Sequence, residues 1–473
     1  MHHRGRLTGS GAAAARAVAA SVAASVAALL PALAVASTDR APAAAVPDAP
    51  EVVIKTILAM LLLVGLAYLG GHPRVQAWEE KLRVSQVITA GFPFVLLGLV
   101  ARHPTVGVVT APVLSQMGTL LGFALGWIGL VAGFRFDARL FGGLPPGVAR
   151  IVALATSIPF ACVVGLTGFA LLSISGGLGE AAARAPALVR DALILGTAGA
   201  MTAKTSARLL GTAGSASVLS RVARIEELAG VLGLAAVAAY FRPHADVGWQ
   251  LPGTAWLLVT VGLGATLGLL AYAMLSTARS RPEFVVLTLG TVSFGAGAAS
   301  YLHLSPIVVT FIAGALLANF PGTHRARLGA ALHRLERPVY LLSLFAIGAV
   351  WDVADWRGWV LIPIFTAARF IGKRLGANAA AGGHGVLLGP REREALAVAP
   401  MGPLAIAIVV NAQLLYPDRS ISPVASAIIG GAILTEVAVQ LVTHGKLSTL
   451  ERRAGALRGE PAATVDRSRE ATG

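Results

Sequence analysis

Long apolar stretches separated by short, arginine-rich connections run through most of the chain. They recur at roughly 51–71, 84–101, 114–134, 149–173, 187–211, 216–241, 254–275, 283–302, 305–320, 338–353, 358–372, 394–415 and 422–443. An α-helix rises about 1.5 Å per residue, so about 20 apolar residues cross the roughly 30 Å hydrocarbon layer of a bilayer. The pattern therefore predicts an all-α integral membrane protein with about 13 transmembrane helices. Some spans are short or interrupted, as transporter helices often are. The segment ahead of them differs in kind: Arg4, Arg6 and Arg16 precede an Ala/Val/Leu run, and Ala34-Val35-Ala36 offers a small-x-small cleavage site. Residues 1–36 read as a signal peptide, 37–50 as an Ala/Pro-rich linker, 51–444 as the membrane domain and 445–473 as a basic cytoplasmic tail. The alternative for the first segment is a retained span of low hydrophobicity.

Composition sharpens this picture. Of 473 residues 56% are hydrophobic and 13% charged, and a mean hydropathy of +0.74 excludes a soluble class. A formal charge of +15 raises the question of nucleic acid, but the placement of the cations answers it. Counting Lys and Arg in alternate connections gives 26 on one side, from Arg74 through Arg469, and six on the other (Arg102, Arg184, Arg190, Arg242, Arg357, Arg419). Positive charge marks the cytoplasmic side. The expected partner is thus the lipid bilayer and not nucleic acid, with the N-terminus outside and the C-terminus in the cytoplasm. One cysteine, Cys162, allows no disulfide framework. No Walker loop, haem or thiol motif, zinc-type His spacing or serine elbow occurs, so neither an enzyme nor a cofactor is expected.

Glu226 and Glu227 stand in SRVARIEELAGVLGLAAVAAYF, an otherwise membrane-compatible run. A charged group at the centre of a bilayer costs about 2.5–3.5 kcal/mol on insertion scales, and adjacent carboxylates repel. Such a pair favours retention of a proton and its exchange for an incoming cation. The bland alternative places the two acids at a cytoplasmic helix end, answering Arg221 and Arg224.

Several segments, taken in order over about residues 80–445, resemble the monovalent cation:proton antiporter superfamily of sodium/proton and potassium/proton exchangers. These are FALGWIGLVAGFRFDARLF, SPIVVTFIAGALLANF and RPVYLLSLFAIGAVWDV. IEELAGVLGLA is similar to the family's Ile-Asp-Asp-Val-Leu-Gly segment, with Gly230 on the following glycine and Glu in place of both aspartates. The resemblance implies that Glu227 carries the ion or proton and that Glu226 varies with the number of charges moved. It also implies two inverted repeats, two crossing discontinuous helices, a core domain and a dimerisation domain.

In DALILGTAGAMTAKTSARLLGTAG, Thr205 and Ser206 resemble residues at the unwound centre of the first crossing helix, where hydroxyls and freed carbonyls coordinate a cation. Back-bonding to the helix is the alternative for them. Lys204 has no counterpart in the family; it either pairs with one of the acids, occupies the cation site, or snorkels to water. AVAPMGPLAIAIVVNAQL, interrupted by Pro400, Gly402 and Pro403, is similar to the second crossing helix, with a simple proline kink as its alternative. Arg369 falls where relatives carry a Lys or Arg facing the crossing, and acts there as a fixed countercharge to helix C-termini or to Glu226. Lys373 and Arg374 read as interfacial, and Glu436 as an acid that caps or braces the last span.

Together these features imply a homodimeric inner-membrane antiporter exchanging Na+ or K+ for protons by alternating access, with no metal beyond the transported cation. An anion or organic-acid carrier on the same fold, suggested by Lys204, Arg208 and Arg369, is one alternative. A transport-inactive membrane sensor or scaffold is another.

Overall fold

A computed structural model describes residues 92–103, 117–138, 147–174, 184–203, 216–243, 251–322, 324–381, 390–418 and 420–457, with Ile54, Ile57, Leu61, Gly65, Val109 and Val113 singly. The expected signal peptide, the linker and most of the first span lie outside the described residues, as do Lys204, Thr205 and Ser206.

The described residues fold into helices, in the order α1 (Phe92–Arg102), α2 (Gly118–Phe134), α3 (Val148–Ile174), α4 (Ala185–Ala200), α5 (Ala216–Tyr240), α6 (Gly253–Thr277), α7 (Arg281–Tyr301), α8 (Pro306–Asn319), α9 (His324–Val350), α10 (Trp356–Ala381), α11 (Pro390–Ala397), α12 (Pro403–Leu415) and α13 (Ile421–Leu457). Among the described residues, four stretches are long and apolar enough to cross a membrane: Val148–Ile174, Gly253–Thr277, Pro282–Tyr301 and Ile421–Val439. Apolar helices packed around them make this a multi-pass membrane protein. Helix starts follow local chemistry. Pro stands in the first turn of α4, α7, α8 and α12, where its missing N–H costs nothing. Ser280 and Glu283 form a capping box on α7, and Ser305 accepts from the Val308 N–H on α8.

The helices pack in two layers. In one, α2 lies against α8, α1 against α9, and α6 and α7 cover α8. Glycines set the spacing: a methyl group at Gly133 would overlap the Phe311 carbonyl, and one at Gly314 the Leu130 carbonyl. Without water to drive helices together, close backbone approach through small residues supplies the packing energy. The other layer contains α3, α4, α5, α10, α11, α12 and α13, with α3 against α10 as its longest seam. Leu195, Phe365, Ile408 and Ile428 are buried in its centre. Phe169, Leu258, Val286 and Phe294, by contrast, are exposed on the periphery, as side chains facing lipid are.

Two elements differ from the sequence pattern. The expected last span, 422–443, belongs to a helix that continues to Leu457, because the apolar stretch gives way to KLSTLERRAGAL, rich in good helix formers. Glu436 therefore sits in mid-helix, buried, and caps no terminus. Similarly, α9 starts at His324, fourteen residues before its apolar part begins at Pro338.

Candidate functional site at the crossing of two interrupted helices

The chain leaves helical geometry at two places that face each other. α4 ends at Ala200, and Met201 turns extended (φ −72°, ψ 145°). On the other side α11 ends at Ala397, and α12 restarts after Gly402 (φ −82°, ψ 163°). The two breaks are joined directly, the Ala203 N–H donating to the Pro400 carbonyl at 2.8 Å. Gly402 lies against Thr202, and a methyl added there would sit 3.5 Å from the Thr202 carbonyl oxygen. Backbone groups freed from helices at this depth need such partners, since lipid offers none.

Two helices flank the crossing. α5 comes close because Gly230 and Gly233 face Met201 and Thr197; a methyl group at Gly230 would overlap the Met201 side chain. This places Glu226 (0% exposed) and Glu227 (9%) beside the break. From the opposite side α10 contributes Arg369 and Lys373, both buried. Arg369 donates from Nη2 to the Met201 carbonyl at 3.0 Å, at the C-terminus of α4, where the helix dipole is negative. Lys373 pairs with Glu226, Nζ to Oε1, at 2.9 Å.

That pair corrects the sequence reading in one respect. Lys373 is not interfacial: it stands four residues after Arg369 on the same helix face, so a helix that turns Arg369 inward turns Lys373 inward too. Arg374, one position further round, is exposed. Arg369 and Lys373 are also not loop cations, as the charge count took them to be, and neither is Arg190. Arg190 is buried in α4, where it binds Asp191 (2.8 Å), Asp418 (2.9 Å) and Ser420 (2.7 Å) and lies over the Tyr416 ring at 4.4 Å. The asymmetry of charge survives the removal of all three. The partner of Glu226 arrives from α10, not from its own helix neighbourhood alone.

Several polar atoms around the crossing have no hydrogen-bond partner among the described residues: Glu226 Oε2, Arg369 Nε and Nη1, and Thr202 Oγ1. Leaving a buried polar group unpaired costs about 1–3 kcal/mol each. Their concentration here distinguishes the site from a passive packing seam, and no group of three or more His, Cys, Asp or Glu that could hold a metal ion occurs among the described residues.

Among solved structures, that of the sodium proton antiporter MjNhaP1 from Methanocaldococcus jannaschii at pH 8 is similar with a TM-score of 0.57 and 17% identity, covering 82% of this chain and 97% of that one. An electron-microscopy map of the same antiporter gives 0.56 and 17%, covering 86% and 99%. The likeness is one of fold. No family model matches the sequence, and no curated protein does.

Proposed function

We propose that the protein is a secondary active antiporter that exchanges a monovalent cation, Na+ or K+, for protons by alternating access. The observation that carries this reading is the buried Glu226–Lys373 pair beside the helix crossing. With Glu226 answered by an ammonium, the neighbouring Glu227 is the carboxylate at which proton and cation compete. Thr205 and Ser206 follow the break in sequence and add hydroxyl ligands. Arg369 remains charged and fixed, since a guanidinium does not give up its proton in a protein. Neutralisation of Glu227 by either ion permits the core to move, and the bare carboxylate resists the low-dielectric crossing.

The pairing of helices supports an inverted repeat. The α1–α9 contact corresponds to α8–α2, α3–α4 to α10–α11, α4–α5 to α12–α13, and α3–α5 to α10–α13, an exchange of each element with the one seven spans later in the sequence scheme. On this reading the layer of α3, α4, α5 and α10 to α13 is the mobile core, and the layer around α2 and α8 is the dimerisation domain of a homodimer. Thirteen spans, a cleaved leader, an outer N-terminus and a cytoplasmic C-terminus complete the proposal.

The test is proton flux in sealed proteoliposomes carrying a pH-sensitive dye, driven by Na+, K+ and Li+ in turn. Dequenching with at least one of them is expected. Absence of flux with all three, from protein shown to be folded and inserted, would sink the reading in favour of a sensor or scaffold.

A further inference from the structure

α3 carries a proline in mid-helix, Pro159. Proline has no N–H, so the carbonyl four residues earlier loses its helical donor. That carbonyl belongs to Ala155, and it accepts from the Lys373 ammonium at 3.3 Å. α10 reaches the spot because glycines flank the lysine. A methyl group at Gly372 would lie 2.6 Å from Pro159 Cα, and one at Gly376 would lie 2.9 Å from the Leu154 carbonyl oxygen. The ammonium is thus held at two points contributed by two helices, Glu226 Oε1 from α5 at 2.9 Å and the Ala155 carbonyl from α3 at 3.3 Å. An ammonium has three protons to place, and a buried one that lacks acceptors is costly.

We propose that Pro159 is a positioning residue: it holds the Ala155 carbonyl open as the second acceptor that seats the Lys373 ammonium against Glu226. The consequence for transport rests on the antiporter reading; the seat itself does not. A residue with an N–H at 159 returns a helical donor to the Ala155 carbonyl, and Lys373 then shares the acceptor with it.

Thermal unfolding of the purified full-length protein in detergent tests the seat directly, with wild type, Pro159→Ala, Lys373→Met and the double variant. The change in midpoint on Pro159→Ala is expected to be more unfavourable by a few degrees when Lys373 is present than in the Lys373→Met background. An equal change in both backgrounds would overturn the proposal, because the proline would then act on its own helix alone. This readout holds whether or not the protein exchanges cations. In proteoliposomes Pro159→Ala is expected to slow exchange by about tenfold, as loss of one charge-assisted hydrogen bond does. Lactate incorporated at position 159 makes a backbone ester, which lacks an N–H as proline does but has no ring. It is expected to restore the wild-type exchange rate, and an ester variant as slow as Pro159→Ala refutes the inference. Should Pro159→Ala fail to accumulate, the ester variant decides by its own cycle with Lys373→Met. A midpoint change independent of Lys373 supports the inference, and a Lys373-dependent penalty refutes it.

Discussion

Lys373 and Glu226 each stabilise a charge that the other could not carry alone at this depth, their side chains being 1% and 0% exposed. Breaking such a pair from one side leaves an uncompensated buried charge, a loss of about 3–5 kcal/mol, whereas replacing both partners by neutral groups is often nearly neutral. Lys373→Met is therefore expected to lower the unfolding midpoint sharply, and Glu226→Gln in the same chain to recover most of it. A double variant as unstable as the single one would show that the two charges do not depend on each other. The sequence made the acids conspicuous because the twelve residues after them, 228–239, are wholly apolar. It concealed the lysine, because GKR at the end of an apolar stretch looks like the start of a cytoplasmic loop. The four-residue spacing from Arg369 was available as a signal, but the partner lies 147 residues away, and no local pattern connects them. Arg190 was hidden in the same way, counted as an outer-loop cation although Asp191 beside it holds it inside.

At the scale of elements, helix breaks were legible where their cause is local. Pro400, Gly402 and Pro403 announce the second one. The first has no such punctuation after Gly199, and α4 ends at Ala200, ahead of the Thr205-Ser206 pair on which the family pattern centred it. Helix pairing was not legible, because glycine spacing alone does not say which partner lies opposite. The seam between α2 and α8 makes that pairing testable. Gly314 meets the Leu130 carbonyl, a rigid neighbour, while Gly290 on α7 has nothing within 4 Å of an added methyl group. Gly314→Leu is expected to abolish the monodisperse peak in fluorescence-detected size-exclusion chromatography, and Gly290→Leu to leave it unchanged; similar profiles for the two would mean the seam is looser than described. A second test concerns the tie between α4 and the turn joining α12 to α13. Arg190→Met strands Asp191, which is 1% exposed, and is expected to cost about 3–5 kcal/mol in denaturant unfolding. Asp191→Asn added to it should restore part of that loss, and a double variant no better than Arg190→Met would exclude the buried charge as its cause.

For the whole molecule, the proposed function assigns the two layers different parts in alternating access. One is a glycine-seamed layer in which α2 and α8 lie in close backbone contact. The other gathers the crossing and its charges. Composition revealed the membrane class at once, because +0.74 mean hydropathy admits no other. The division into layers needed the structure, since apolar helices occur in both. In the proposed function exchange depends most on Glu227, the acid on α5 next to the one that Lys373 neutralises. Cation-driven proton flux in sealed proteoliposomes, measured side by side for wild type and Glu227→Gln, tests it most directly, because the amide keeps the volume of the side chain but cannot exchange a proton. Wild type is expected to dequench on addition of the cation, and the folded, inserted variant to remain at the baseline of empty vesicles. Exchange by Glu227→Gln at the wild-type rate would contradict the account.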